Sequence, residues 1–163
     1  IPTIASFVGL VGGGMLSDSL LRWGYSVRFA RAQAPSLCVA VGIPFLVAAP
    51  LVPWAWVSVL CFAVYLFLLN VAGGGYWAVP LELSPRLVGA ISGVMNGSGN
   101  FAGIFGPMTA GFIIRETGNW TLPFLIAAFF AVISVLVFYF LVVPAPLTVK
   151  ELVPPTVPSK TGG

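Results

Sequence analysis

The chain has 163 residues, of which 59% are hydrophobic and only 7% charged, with no histidine and a formal net charge of +3. A water-soluble domain carries roughly 25% charged residues, so this composition excludes a water-wrapped globule and makes lipid the natural solvent. The few basic residues are scattered without interleaved aromatics, which excludes a nucleic-acid surface, and Cys38 and Cys61 sit in apolar runs without metal-ligand or CxxC spacing.

Five apolar stretches approach the ~20 residues that a membrane span needs. The first, Ile1–Leu16, is short and reads as the end of a helix that starts before the chain does. It is followed by "GGGMLSDSLLRWGYSVRFAR", residues 12–31, where glycine, Asp18 and three arginines collect between two hydrophobic runs. Gly14 precedes Asp18 by four residues and shares its helix face; Gly24 suits a tight turn, and Arg28 follows. A carboxylate at this helix end can meet the positive N-terminus of a neighbouring helix or an arginine across the loop.

The second stretch, Pro35–Val52, is uniformly apolar. The third, Trp54–Pro80, carries Asn70, Gly73, Gly74 and Trp77 on one helical face. Two readings stand here: a bending, cavity-lining helix with Asn70 and Trp77 against a ligand, or tight packing with Tyr76 and Trp77 as interfacial anchors.

The fourth, Pro85–Ile114, is opened by Ser84 and Pro85, an N-cap and N1 signal. Gly89, Gly93 and Gly97 repeat every fourth residue, with Gly99 and Gly103 as a second pair, a spacing that lets membrane helices approach closely. Pro107 predicts a kink in the far half. Ser92, Asn96 and Asn100 form a polar row, and about 1.5 Å per residue puts Asn96 about 16 Å into the helix, near mid-membrane. Asn96 and Asn100 either hydrogen-bond a neighbouring helix or face a ligand. The fifth stretch, Leu122–Val143, is bulky on all sides and faces lipid, Leu136 included. The Pro-rich segment 144–163 predicts a disordered tail beyond a membrane bundle spanning 1–143.

With alternating spans, Arg22, Arg28, Arg31, Arg86, Lys150 and Lys160 fall on one side and Arg115 alone on the other. The positive-inside rule makes the first side cytoplasmic. Trp54, Trp56 and Trp120 then mark the outer interface, and Trp23 and Tyr25 the inner one. The interiors of the spans hold no charged residue, and the chain offers no nucleophile paired with a base, which argues against an enzyme.

The hairpin of Gly14, Asp18, Gly24 and Arg28 resembles the loop motif G-x-x-x-D-(R/K)-x-G-x-(R/K)-(R/K) of the major facilitator superfamily, with looser spacing and Ser19 in place of the usual basic residue. "LELSPRLVGAISGVMNGSGNFAGIFGPMTAGFIIRETGNW" resembles the eleventh span of its anion:cation symporter family; Pro85, Arg86, Gly89, Gly93, Asn96, Gly99, Asn100, Gly103, Pro107 and Gly111 fall in register. The resemblance implies an all-α integral membrane protein: about five transmembrane helices from the carboxy-terminal half of a twelve-span fold, the first partial and the amino-terminal half missing. It also implies secondary active transport of a small organic anion, a sugar acid or aromatic carboxylate, by proton symport in the inner (plasma) membrane. No cofactor or metal is expected; the lipid bilayer, the anion and the proton are the partners. Within that reading Asn96, Asn100, Asn70 and Trp77 are candidate substrate contacts. Gly14, Asp18, Gly24 and Arg28 are the gating motif, and Gly89, Gly93, Gly97, Gly103 and Pro107 shape helix packing. A neutral-sugar or drug carrier of the same superfamily and a transporter-like receptor are the alternatives.

Overall fold

The computed structural model describes residues 2–83 and 86–142. Ser84, Pro85 and the segment from Val143 onward, with the expected cap and tail, lie outside the described residues. The described chain is all helical: α1 (Pro2–Arg22), α2 (Ala34–Ala48) continuing from a π-helical segment (Phe29–Gln33), α3 (Ala55–Tyr76), the short α4 (Val79–Leu83), α5 (Val88–Thr117) and α6 (Thr121–Leu136), which runs into a second π-helical segment (Val137–Leu141). Four apolar helical segments are long enough to cross a membrane: Pro2–Arg22, Phe29–Ala48, Ala55–Leu83 and Thr121–Leu141. α5 is the longest single helix, at 30 residues, and its glycine, serine and asparagine content sets it apart from these.

Local signals explain the helix ends. Gly24 adopts φ +86°; its N–H donates to the Leu21 carbonyl at 3.1 Å and the Tyr25 N–H to the Leu20 carbonyl at 3.1 Å. This is the double bond of a Schellman motif, whose left-handed residue is normally glycine. The Ser26 hydroxyl accepts the Phe29 N–H at 3.2 Å and starts the next helix. At the opposite end of the bundle Gly118, φ +65°, closes α5 with its N–H on the Ile114 carbonyl at 2.8 Å, and the Asn119 side chain accepts the Thr121 N–H at 2.8 Å to open α6.

α1 runs past Leu16, the expected end of the first span, as far as Arg22, and its three consecutive glycines do not interrupt it. The reason is packing. A Cβ on Gly9 would lie 2.5 Å from the Phe67 carbonyl oxygen, one on Gly13 would lie 2.6 Å from the Val71 Cα, and one on Gly74 would lie 2.6 Å from the Gly13 carbonyl carbon. α1 and α3 therefore cross backbone to backbone, as small residues spaced by four permit in a membrane. Gly75 makes the same close approach to the Pro35 ring of α2.

α6 packs along α2 and reaches α3 through two aromatic pairs. Phe62 meets Phe124 with ring centroids 6.2 Å apart, and Tyr76 meets Phe138 at 4.1 Å. The early parts of α3 and α6 thus meet each other, as do their late parts, so the two helices run parallel. α5 contributes no buried residue and touches the bundle mainly through α4 near its start and α6. Added Cβ atoms on Gly89, Gly93, Gly97 and Gly103 would meet nothing within 4 Å. Pro107 lies inside the continuous α5.

Candidate functional site at the arginine-rich end

One end of the bundle gathers the last turn of α1, the first turns of the α2 segment, α4 and the last turn of the α6 segment. Arg31 is at its centre. Its Nη2 lies 2.9 Å from Asp18 Oδ1, its Nη1 donates to Ser17 Oγ at 3.0 Å, and its Nε donates to Glu82 Oε1 at 3.4 Å. Ser17 Oγ donates in turn to the Ala30 carbonyl at 2.8 Å. The Arg31 side chain is 11% exposed, against 58% for Asp18 and 32% for Glu82. The buried partner is the cation, and the two carboxylates reach it from the rim.

Helix electrostatics explain why these groups need one another. Asp18 lies one turn before the end of α1 and Arg31 near the start of a helix, each close to the end whose partial charge repels it. Neither position is favourable for an isolated charge; paired, each neutralises the other. Burial makes the pairing more consequential, because an arginine withdrawn from water is tolerated only when its N–H groups are matched. A single side chain therefore links α1, the α2 segment and α4.

Arg28 does not join this cluster. Its Nη2 donates to the Phe140 carbonyl at 3.1 Å, across the α2 and α6 segments. A cation placed on one of the last carbonyls of a helix is favoured by the same dipole that disfavours Asp18 on α1. Both partners belong to or adjoin π-helical segments, Phe29–Gln33 and Val137–Leu141, a geometry found often at functional sites.

The residues expected to form the gating motif are therefore dispersed around this end. Asp18 is in the ion cluster, Gly24 in the Schellman turn and Arg28 on the α6 terminus. Gly14 packs with Gly13 against Gly74. Arg31, Glu82 and Ser17 complete the cluster, and sequence reasoning did not single them out, having counted Arg31 only as a loop charge. A usable signal was present, since charges are so scarce here that each one near a span end needs a partner.

The candidate substrate contacts are not brought together. Asn70 donates to the Leu66 carbonyl at 2.8 Å, and its Cβ would stand 3.2 Å from a Cβ on Gly9, so the Asn70–Gly74 row faces α1. Trp77 is 48% exposed. On α5, Asn100 donates to the Asn96 carbonyl at 2.9 Å and to its side-chain oxygen at 3.1 Å, and both residues are exposed.

Curated relatives share most of this chain. The hexuronate transporter of Bacillus subtilis is 34% identical over 137 residues, 82% of this chain and 32% of the relative. The probable galactarate/D-glucarate transporter GudP of Pseudomonas putida is 36% identical over 119 residues, 72% of this chain and 26% of the relative. The chain belongs to the major facilitator superfamily, in its anion:cation symporter branch. The probable sulfoacetate transporter SauU of Cupriavidus necator is 28% identical over 127 residues, 78% of this chain and 30% of the relative. The chain spans between a quarter and a third of the length of these relatives, and no family model matches it. These relatives are named as transporters, and four helical segments among the described residues of this chain are long and apolar enough to cross a membrane.

Proposed function

We propose that this chain forms the carboxy-terminal part of a secondary active transporter, not an enzyme, that moves a small organic anion by alternating access with proton symport. The class of cargo follows the relatives, whose names carry hexuronate, galactarate, D-glucarate and sulfoacetate: compact, multiply oxygenated acids. The observation that carries the mechanism is the buried Arg31 bridging Asp18 and Glu82. It ties three helical elements together at one end of a membrane bundle, where an alternating-access carrier needs a contact that forms in one state and breaks in the other. In this reading the arginine-rich end is cytoplasmic, in the inner membrane. Asp18, Arg31 and Glu82 latch the gate, with Gly14, Gly24 and Arg28 shaping the hairpin and its contact with α6. Asn96 and Asn100, with Trp77, supply the carboxy-terminal wall of the substrate cavity, Asn70 packs in the α1–α3 crossing, and the glycine row of α5, with Pro107, packs against the amino-terminal half.

The test is uptake of labelled D-glucarate and galacturonate by the full-length protein in proteoliposomes. Accumulation driven by an inwardly directed proton gradient and abolished by a protonophore is expected, with neutral hexoses failing to compete. Gradient-independent equilibration would remove the symport element. Uptake of a neutral sugar in preference to its acid would replace the anion reading with that of a neutral carrier.

A further inference from the structure

The described charges at this end do not balance: Arg22, Arg28, Arg31 and Arg86 stand against Asp18 and Glu82, both of which lie on Arg31. Asp18 and Glu82 are both committed to Arg31, and Glu116, at the far end, to Arg115. The fourth acid, Glu151, lies outside the described residues. Among the described residues, Arg22, Arg28 and Arg86 form no ion pair; Arg28 has its one bond to Phe140, while Arg22 and Arg86 are exposed. The Schellman turn at Gly24 folds the chain back between Arg22 and Arg28, so the two flank one hairpin tip. Beside them Trp23 is 72% and Tyr25 51% exposed, and Tyr25 is held by stacking on Phe29 at 5.1 Å. Arg86 follows α4, whose Glu82 reaches the same Arg31.

Aromatic rings of this kind settle at headgroup depth. Cations there stand within a Debye length of the lipid phosphates. We infer that the rim formed by Arg22, Trp23, Arg28 and Arg86 binds the headgroup of an anionic phospholipid in the leaflet it faces. The lipid supplies negative charge to three arginines with which neither Asp18 nor Glu82, both turned to Arg31, forms an ion pair. The site differs from the substrate cavity in depth and in chemistry: arginines and an indole at the interface, rather than amides near mid-membrane. Because the headgroup lies against the hairpin that carries Asp18, its occupancy stabilises the arrangement in which the cluster is closed.

The experiment uses the full-length protein purified in neutral detergent and titrated with phosphatidylglycerol, with phosphatidylcholine of the same acyl chains, or with inorganic phosphate. Phosphatidylglycerol should raise Tm above the level reached with phosphatidylcholine, and native mass spectrometry should show it retained. Phosphate alone should leave Tm unmoved, and the difference between the lipids should shrink at about 1 M salt, where the Debye length falls to about 3 Å. The double variant R22Q/R86Q, altered only at exposed positions outside the ion cluster, should keep its Tm in phosphatidylcholine and lose the phosphatidylglycerol increment. Equal increments from the two lipids, an undiminished increment in R22Q/R86Q, or a phosphate effect matching that of phosphatidylglycerol would each overturn the inference.

Discussion

Arg31 and Asp18 differ in what their removal leaves behind. Asp18→Asn leaves a buried guanidinium still matched by Glu82 and Ser17, so the helices stay folded and only the link to α1 weakens. An exposed ion pair contributes about 0.2–1 kcal/mol, and burial of the arginine partner puts this one at about 1 kcal/mol. That is enough to shift a two-state gate several-fold. We therefore expect D18N in the full-length protein to bind substrate nearly as wild type does while transport slows. A large loss of equilibrium binding with unchanged turnover would contradict the gate. Arg31→Met, by contrast, cuts both links at once, and its effect on transport should be little increased by adding E82Q, since Glu82 acts through the arginine. Additive losses in that double variant would show that the two residues work separately. Asn96 tests the opposite role. Paired along α5 with Asn100 and exposed, it can be truncated at little cost within this chain. Asn96→Ala should weaken substrate binding by about 1–3 kcal/mol, the cost of leaving a polar partner unmatched, with Tm preserved. Unchanged affinity measured by titration, together with a lowered Tm, would assign it to helix packing instead.

Two sets of glycines have different fates at the scale of helices. Gly9, Gly13 and Gly74 lie in a crossing where a side chain would enter backbone space, whereas Gly93 faces nothing within 4 Å. Gly13→Leu should therefore collapse folded yield in detergent regardless of what else surrounds the bundle. Gly93→Leu lowers yield only if another helix of the full-length protein packs on that row, and Leu136→Ala, half exposed on α6, should matter little. Wild-type yield for G93L would remove the packing role of the α5 row. The contrast also shows what the sequence could reveal. The number, order and approximate limits of the apolar helices were legible from hydropathy, and Gly24 as a turn residue from its position after Arg22. The run of α1 beyond Asp18 to Arg22 was not, nor was the reason its glycines stay helical, because Gly9 and Gly13 are held by a backbone contact with α3 that hydropathy does not show. Nor was the meeting of Arg31 with Glu82, 51 residues apart in sequence, since that pairing exists only once α1, α2 and α3 have packed.

On the scale of the whole molecule, the helix arrangement and the charge distribution agree on which ends belong together. Arg31 joins the end of α1 to the segment after α3, Arg28 joins the start of the α2 segment to the end of the α6 segment, and Arg86 opens the path into α5. These contacts place Arg22, Arg28, Arg31 and Arg86 at one end, while Arg115 and the exposed Trp54 and Trp120 belong to the other. Basic residues are retained on the cytoplasmic side of a membrane, so the absolute orientation follows if the rule holds for this bundle. Cysteine accessibility measures it directly. With Cys38 and Cys61 replaced by alanine, Ser26→Cys at the Schellman hairpin should be protected from an impermeant maleimide in intact cells and react after permeabilisation. Asn119→Cys, in the exposed turn between α5 and α6, should react in both. Both sites touch a helix start, Ser26 through the Phe29 N–H and Asn119 through the Thr121 N–H, so each substitution removes one cap. That loss costs about 1 kcal/mol and changes stability without exchanging the sides of the membrane. Reaction of Ser26→Cys from outside, with Asn119→Cys protected, would invert the bundle and place the Arg31 latch at the outer gate.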